Sequence, residues 1–384
     1  MNLRRSVNGA GFGVLQKQPI SGLDRSVLSE DSFHRMISLE RKRTERSGKP
    51  FLLMLLDAGG KISGNQNTKV LAEIVSTLSF STRETDLAGW YKSDSVVGVM
   101  FTEIGMEERT SIVSTMLARV SATLRSNLSF EQFNAISISF HLFPEDWDHQ
   151  MPRGASNPVL YPDLVRRDDA RKFSSLLKRT MDIVGSALAL GCLSPVFLLI
   201  ALAIKASSRG PVFFRQRRVG QHGVPFVFLK FRSMYVGNDA SVHRDYVLKL
   251  IAGNAEREPS NGNGEGVYKL TKDARITSVG LFLRRTSLDE LPQFFNVLIG
   301  EMSLVGPRPP IAYEVDAYDL WHRRRLLEAK PGITGLWQVN GRSRVKFDDM
   351  VRLDLRYART WSPWLDMKIL VRTPRAVLLG DGAY

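Results

Sequence analysis

A chain of 384 residues with 43% hydrophobic and 24% charged residues can form two or three folded domains, and this composition excludes wholesale disorder. The net charge of +14 implies a polyanionic partner: nucleic acid, an anionic lipid surface or a phosphate-rich substrate. The single cysteine, Cys192, excludes an intramolecular disulfide and a cysteine metal cluster, and no apolar stretch follows Arg4 and Arg5 closely enough to predict a cleavable signal peptide.

Residues 1–30 read as a loose lead-in and 31–150 as a small domain. Phe51–Leu56, ending at Asp57, has the continuous apolar run of a buried strand. Val70–Leu78 has the i, i+3, i+4 spacing of a helix. Val96–Phe101 and Ile136–Phe143 read as strands, with a helical stretch from Met106 to Leu128 between them. This order predicts an α+β domain, ferredoxin-like, with helices on one sheet. Arg83-Glu84-Thr85-Asp86 resembles the Arg-x-x-Asp that precedes the signature hairpin of diguanylate-cyclase (GGDEF) domains. Lys92-Ser93-Asp94-Ser95 stands where that hairpin needs paired glycines, so the resemblance implies a degenerate regulatory or scaffold domain without cyclase chemistry. Three prolines between Met151 and Pro162 mark 151–165 as a linker, leaving 166–384 as a second domain.

A basic stretch with Arg166, Arg167, Arg171, Lys172, Lys178 and Arg179 leads into an uncharged run, Ile183–Ile204. As a straight helix rising about 1.5 Å per residue, that run would just span a bilayer core of about 30 Å. Ser194-Pro195 breaks its centre, and basic residues crowd both flanks, with Lys205, Arg209, Arg215, Arg217 and Arg218 on the far side. A re-entrant hairpin satisfies both the break and the preference of basic flanks for the cytoplasmic side. A kinked helix in a soluble core and a proline-tolerant full span are the alternatives. Cys192 is expected to be a buried, inert thiol. Replacing Pro195 by Ala would remove about 3 kcal/mol of helix-interior cost and is expected to favour a straight span.

Ala252–Gly266, rich in glycine and asparagine, is expected to be a loop. The most informative stretch is Leu283–Pro310. Ser287-Leu-Asp-Glu290 has the form of a capping box, with Ser287 as N-cap, Glu290 reaching back and Asp289 in the first turn near the positive helix end. The same geometry would hold Asp289 ionised as a nucleophile or metal ligand. Arg284 and Arg285 before it and Arg308, clamped between Pro307 and Pro309, would supply charge for phosphoryl transfer. From these residues alone, a helix cap and a catalytic site both remain open.

Longer blocks resemble the bacterial polyprenyl-phosphate sugar-phosphate transferases, the monotopic phosphoglycosyl transferases. They are Lys178-Arg179 with Asp182, Ser194-Pro195, Gly210-Pro-Val-Phe-Phe-Arg-Gln-Arg-Arg-Val-Gly220 and Phe228-Leu-Lys-Phe-Arg-Ser-Met234. Leu288-Asp-Glu-Leu-Pro-Gln293, Met302-Ser-Leu-Val-Gly-Pro-Arg-Pro309 and Lys330-Pro-Gly-Ile-Thr-Gly-Leu-Trp-Gln-Val-Asn-Gly-Arg342 follow in the same order.

The resemblance covers about Ser174–Leu379. It implies transfer of a sugar 1-phosphate from a UDP-sugar to polyprenyl (undecaprenyl) phosphate through a covalent adduct on Asp289. Glu290 would complete the dyad, Lys230, Arg232, Arg284 and Arg308 would contact phosphate, and Mg²⁺ would sit on Asp289. It also implies a monotopic protein on the cytoplasmic face of the bacterial inner membrane, in contact with anionic lipid and not nucleic acid. A homo-oligomer or polysaccharide-assembly proteins would engage the N-terminal domain. Glu301 stands where the family usually has Asp. Trp361 and Trp364, beside basic residues, suit either a membrane interface or a core.

Overall fold

The computed structural model describes residues 27–57, 85–102, 104, 136–144, 158–164, 172–237, 241–255, 268, 275–341 and 344–378, with scattered positions between 118 and 133. The helix expected at 70–78, most of the one at 106–128, Arg83 and Glu84, Arg166, Arg167, Arg171, most of the 151–165 linker and most of the 252–266 loop lie outside the described residues. The chain divides into two compact units, Met1–Phe33 with Leu55–Val99 and Thr110–Ser139, and His34–Met54 with Met100–Arg109 and Phe140–Tyr384.

The N-terminal elements are α1 (Glu30–Ser47), β1 (Phe51–Asp57), β2 (Leu87–Lys92), β3 (Val96–Phe101) and β4 (Ser137–Phe143). They include a four-stranded sheet of order β2-β3-β1-β4. β1 has a neighbour on each side, which is why its sequence FLLMLLD is buried at every position but Asp57. The three predicted strands form. At the β2–β3 turn Asp94 is left-handed, and the Glu30 carboxylate accepts from the Ser93 amide and hydroxyl at 2.8 and 2.7 Å.

The rest comprises α2 (Lys172–Ser207), β5 (Phe213–Val219), β6 (Pro225–Phe231), α3 (Ser241–Ile251), α4 (Ser278–Arg285), α5 (Gln293–Ile299) and β7 (Ser303–Val305). Then follow α6 (Ala312–Asp316), α7 (Leu320–Glu328), β8 (Gly332–Thr334), α8 (Leu336–Asn340), α9 (Phe347–Thr360) and α10 (Pro363–Leu378). β5 and β6 form an antiparallel hairpin, with Phe214 opposite Lys230 and Gln216 opposite Phe228. β7 and β8 are parallel, Ser303 opposite Gly332. Gly306 and Gly332 are required there: a Cβ on Gly332 would stand 2.0 Å from the Gly306 nitrogen. The Val-Gly-Pro and Lys-Pro-Gly blocks therefore meet backbone to backbone.

The helix α2 runs through Pro195. Pro195 cannot donate to the Gly191 carbonyl, and the Ser194 hydroxyl donates to it instead, at 2.8 Å. Among the described residues this is the one helix long and apolar enough to cross a membrane, and only 11% of its apolar window is buried. That exposure overturns the soluble-core alternative. Ile183, Val184, Leu188, Leu198, Leu199 and Leu202 all face outward. Cys192, expected to be buried, is exposed as well, because it lies on this uncovered helix.

Both arms of α2 reach the short helix α5. In the first, Lys178 donates to Asp366, Val305 O and Tyr357 Oη at 2.7, 3.1 and 3.2 Å, and Arg179 to the Val297 and Leu298 carbonyls at 2.7 and 2.8 Å. Asp182 Oδ1 accepts from Ser303 Oγ and Leu304 N, both at 2.9 Å. In the second arm, Ile200 and Ile204 are buried with Phe231 and Leu283. Phe197 meets Phe231 and Phe295 edge-on, with centroids 5.2 and 6.1 Å apart. Arg179 and Phe197 would lie about 27 Å apart on a straight helix, whereas α5, which both touch, is only about 10 Å long.

Candidate active site

The site begins where α4 ends. Thr277 caps that helix, accepting from Gly280 N, and Thr286 closes it. Ser287 then adopts a left-handed conformation, φ 55° and ψ 18°, and makes no side-chain cap. The expected capping box is absent for that reason: a left-handed residue terminates the preceding helix instead of starting the next. Leu288–Glu290 is a single 3₁₀ turn. Leu288 and Leu291 pack against the cluster of Ile200, Ile204, Phe231 and Leu283, anchoring the turn on α2.

That anchoring aims both carboxylates at β6. Lys230 Nζ lies 2.6 Å from Glu290 Oε1 and 3.4 Å from Asp289 Oδ2. Strand alternation puts Phe228 on the same side as Lys230, and the Lys230 ammonium and the Arg218 guanidinium both stand over its ring, at 5.7 and 4.3 Å. Asp289 is 6% exposed, and this burial pushes its carboxyl above the ordinary carboxylate range, against the pull of Lys230 and Arg284. The helix-end stabilisation expected for Asp289 is not built here: a one-turn 3₁₀ segment has too little dipole to offset desolvation. Burial acts on Glu290 in the same sense, but Lys230, followed by Arg308 and Arg218, brings it below its ordinary value. The two carboxyls are thus driven apart, with Arg284 on the Asp289 side and Arg308 on the Glu290 side.

The other predicted basic residues divide. Arg284 Nε donates to Ser233 Oγ at 2.9 Å beside the dyad, and Arg308 is exposed. Arg232 is buried and turned to the end of α2, donating to the Ser208 and Arg209 carbonyls at 2.8 and 3.0 Å and to Ser208 Oγ at 2.9 Å. Ser194 and Pro195 lie at the middle of α2, far along the chain from the dyad.

Sequence reasoning missed three residues. Arg218 is a buried charge, not a solvated flank: it donates to Pro309 O at 2.6 Å, and burial pushes it down to about 10. Strand alternation in FFRQRRV separates it from Arg215 and Arg217 and would have found it. Asn296, 1% exposed, donates to Val227 O and accepts from Leu229 N, holding the strand that carries Lys230. It also donates to Glu301 Oε2 at 2.7 Å, so Glu301 orients Asn296. Arg325 was missed because its partners lie far away in sequence. Of the tryptophans, Trp364 is 74% exposed, while Trp361 donates to Asp366 at 3.0 Å.

Among the described residues no cluster of three His, Cys, Asp or Glu could enclose a metal. Two adjacent carboxylates fit a magnesium ion that takes most of its oxygens from phosphates and water, and the Lys230 ammonium between them shows that the pair accommodates positive charge.

The family model described as bacterial sugar transferase matches residues 173–380. The galactosyl transferase CpsE of Streptococcus agalactiae is 44% identical over 214 residues, 55% of this chain and 44% of that protein. An undecaprenyl-phosphate galactose phosphotransferase of Salmonella typhimurium is 43% identical over 222 residues, 57% of this chain and 44% of that protein. The chain thus spans less than half the length of these two relatives. The exopolysaccharide production protein ExoY of Rhizobium meliloti is 38% identical over 232 residues, 60% of this chain and 98% of that protein. A DGC protein from Thermotoga maritima matches 32% of this chain and 85% of its own at 25% identity and a TM-score of 0.26, a likeness from which nothing about the N-terminal sheet follows.

Proposed function

Given that this chain belongs to the bacterial sugar transferase family, we propose that it transfers a sugar 1-phosphate from a UDP-sugar to polyprenyl (undecaprenyl) phosphate, releasing UMP. One observation carries the reading. The leucines flanking Asp289-Glu290 pack on the exposed apolar helix, while the two carboxylates share Lys230 between Arg284 and Arg308. A phosphoryl-transfer site built directly against a lipid-compatible helix suits one water-soluble and one lipid-borne substrate.

Asp289 is the nucleophile in this reading. Its carboxylate oxygen attacks the sugar-bearing phosphorus, and the bond to UMP breaks. An oxygen of polyprenyl phosphate then attacks the same phosphorus and frees the carboxylate, leaving a polyprenyl-diphospho-sugar. Lys230, Arg284 and Arg308 neutralise phosphate oxygens, and Glu290 holds Lys230 in place and orients the acceptor. Asp289 would hold Mg²⁺, which when bound neutralises the diphosphate. Arg232 fixes the end of α2 relative to β6, a positioning role and not a phosphate contact.

We also read α2 as a re-entrant hairpin bent at Ser194-Pro195, because both of its arms reach the short helix α5. The basic flanks then put the protein on the cytoplasmic face of the inner membrane, against anionic lipid. The N-terminal sheet order supports a ferredoxin-like regulatory or assembly domain. Incubating the full chain with undecaprenyl phosphate, Mg²⁺ and a panel of UDP-sugars tests the reading by UMP release. Acceptor-dependent UMP from at least one donor is expected, and none from any donor would overturn it.

A further inference from the structure

The segment Pro307–Pro310 contains one N–H group, that of Arg308, because its other residues are prolines. Its four carbonyls are nevertheless all held. Gly332 N donates to Pro307 O at 2.8 Å, Arg325 to Arg308 O at 3.0 Å, Arg218 to Pro309 O at 2.6 Å and Val219 N to Pro310 O at 2.9 Å. Four separate donors clamp four consecutive residues, and the Arg308 side chain projects from the clamp, exposed.

The donor on Arg308 itself comes from a second buried layer. Arg325 on α7 and Asp354 on α9 are 5% and 1% exposed and pair at 2.7 Å. The pair is off the alignment of a hydrogen bond, and neither Asp354 oxygen makes one, so Arg325 is the cation that neutralises this carboxylate. A buried ion pair whose carboxylate makes no hydrogen bond is a poor way to stabilise a fold, since packed apolar residues in its place are commonly as stable or more so. Such a pair is explained better by what it orients.

We propose that Arg325, fixed by Asp354, is a positioning residue for Arg308, holding its backbone so that the guanidinium meets the phosphate of the sugar nucleotide. The inference rests on the reading of Arg308 as a phosphate contact. Neither Arg325 nor Asp354 touches substrate; they act through the Arg308 carbonyl.

A double-mutant cycle on the full chain in detergent tests this, with kcat/KM for UMP release from UDP-glucose or UDP-galactose as the readout. Arg308→Ala is expected to lower it at least about tenfold, and Arg325→Gln to lower it by a similar factor. In the Arg308→Ala background, Arg325→Gln is expected to add less than about a twofold loss, because the residue it positions is gone. Asp354→Asn, nearly isosteric, runs the same cycle should Arg325→Gln fail to fold. Losses that multiply in the double mutant would show a merely structural pair and overturn the proposal, as would wild-type activity in the single variants. Wild-type activity of Arg308→Ala would instead refute the phosphate contact, and the inference with it.

Discussion

Replacing Pro195 by Ala tests the proposed re-entrant path of the apolar helix. From the sequence alone, removing a proline cost of about 3 kcal/mol would release a straight span. The contacts made by both arms argue for the opposite outcome. Straightening must pull one arm off its partners. The second arm packs Ile200 and Ile204 against Phe231 and Leu283, contacts that lipid chains would replace only in part. Its two edge-on Phe197 contacts add about 0.5–1.5 kcal/mol apiece. In the first arm, Arg179 makes two charge-assisted bonds worth about 1.5–3 kcal/mol each. Straightening would forfeit one arm's contacts in return for about 3 kcal/mol, and Pro195→Ala is expected to keep both ends on one side of the membrane. Since Cys192 is the only cysteine, Cys192→Ala gives a clean background for Ser175→Cys and Arg217→Cys, two exposed positions on either side of the uncharged run Ile183–Ile204. Equal maleimide labelling of both from the cytoplasmic side, with and without Pro195→Ala, is expected. Labelling from opposite sides in the Pro195→Ala protein would refute the reasoning that docking sets the bend.

Asn296→Ala removes three side-chain contacts that tie α5 to β6 and to Glu301, and is expected to cost about 1–3 kcal/mol in urea unfolding through the polar groups left unpaired. Burial raises Asp354 from 3.8 to about 6 against the pull of Arg325, so the folded state holds that proton more tightly than the unfolded one. Stability is therefore expected to fall as pH rises from about 4 to 6 and then level off, by about 3 kcal/mol in total; Asp354→Asn should remove this slope from thermal unfolding, and an unchanged slope would assign it elsewhere.

The parts of the site that were legible in the sequence are those whose chemistry is local. Asp289, Glu290 and Arg308 stand in short blocks of unusual composition, and Lys230 belongs to a strand block that the same resemblance picks out. Strands β1 and β3 were legible because continuous apolar runs of that length need a neighbour on both sides. The capping box failed because its four residue types suit a helix start equally well when Ser287 is left-handed, and only the termination of α4 decides between them. Arg218 and Arg232 were taken for solvated or phosphate-facing charges because counting cations ignores which side of a strand each one faces. Asn296, Arg325 and Asp354 act through carbonyls and carboxylates brought near by folding, and no local pattern announces such partners.

The central claim is that Asp289 carries the sugar phosphate. Incubating the full chain with its UDP-sugar and Mg²⁺, but no polyprenyl phosphate, and analysing its peptides by mass spectrometry tests this directly. The account predicts release of about one UMP per chain and a sugar-phosphate adduct on the peptide containing Asp289, discharged on adding undecaprenyl phosphate and absent from a folded Asp289→Asn protein. An adduct on another residue, or full turnover by Asp289→Asn, would contradict it.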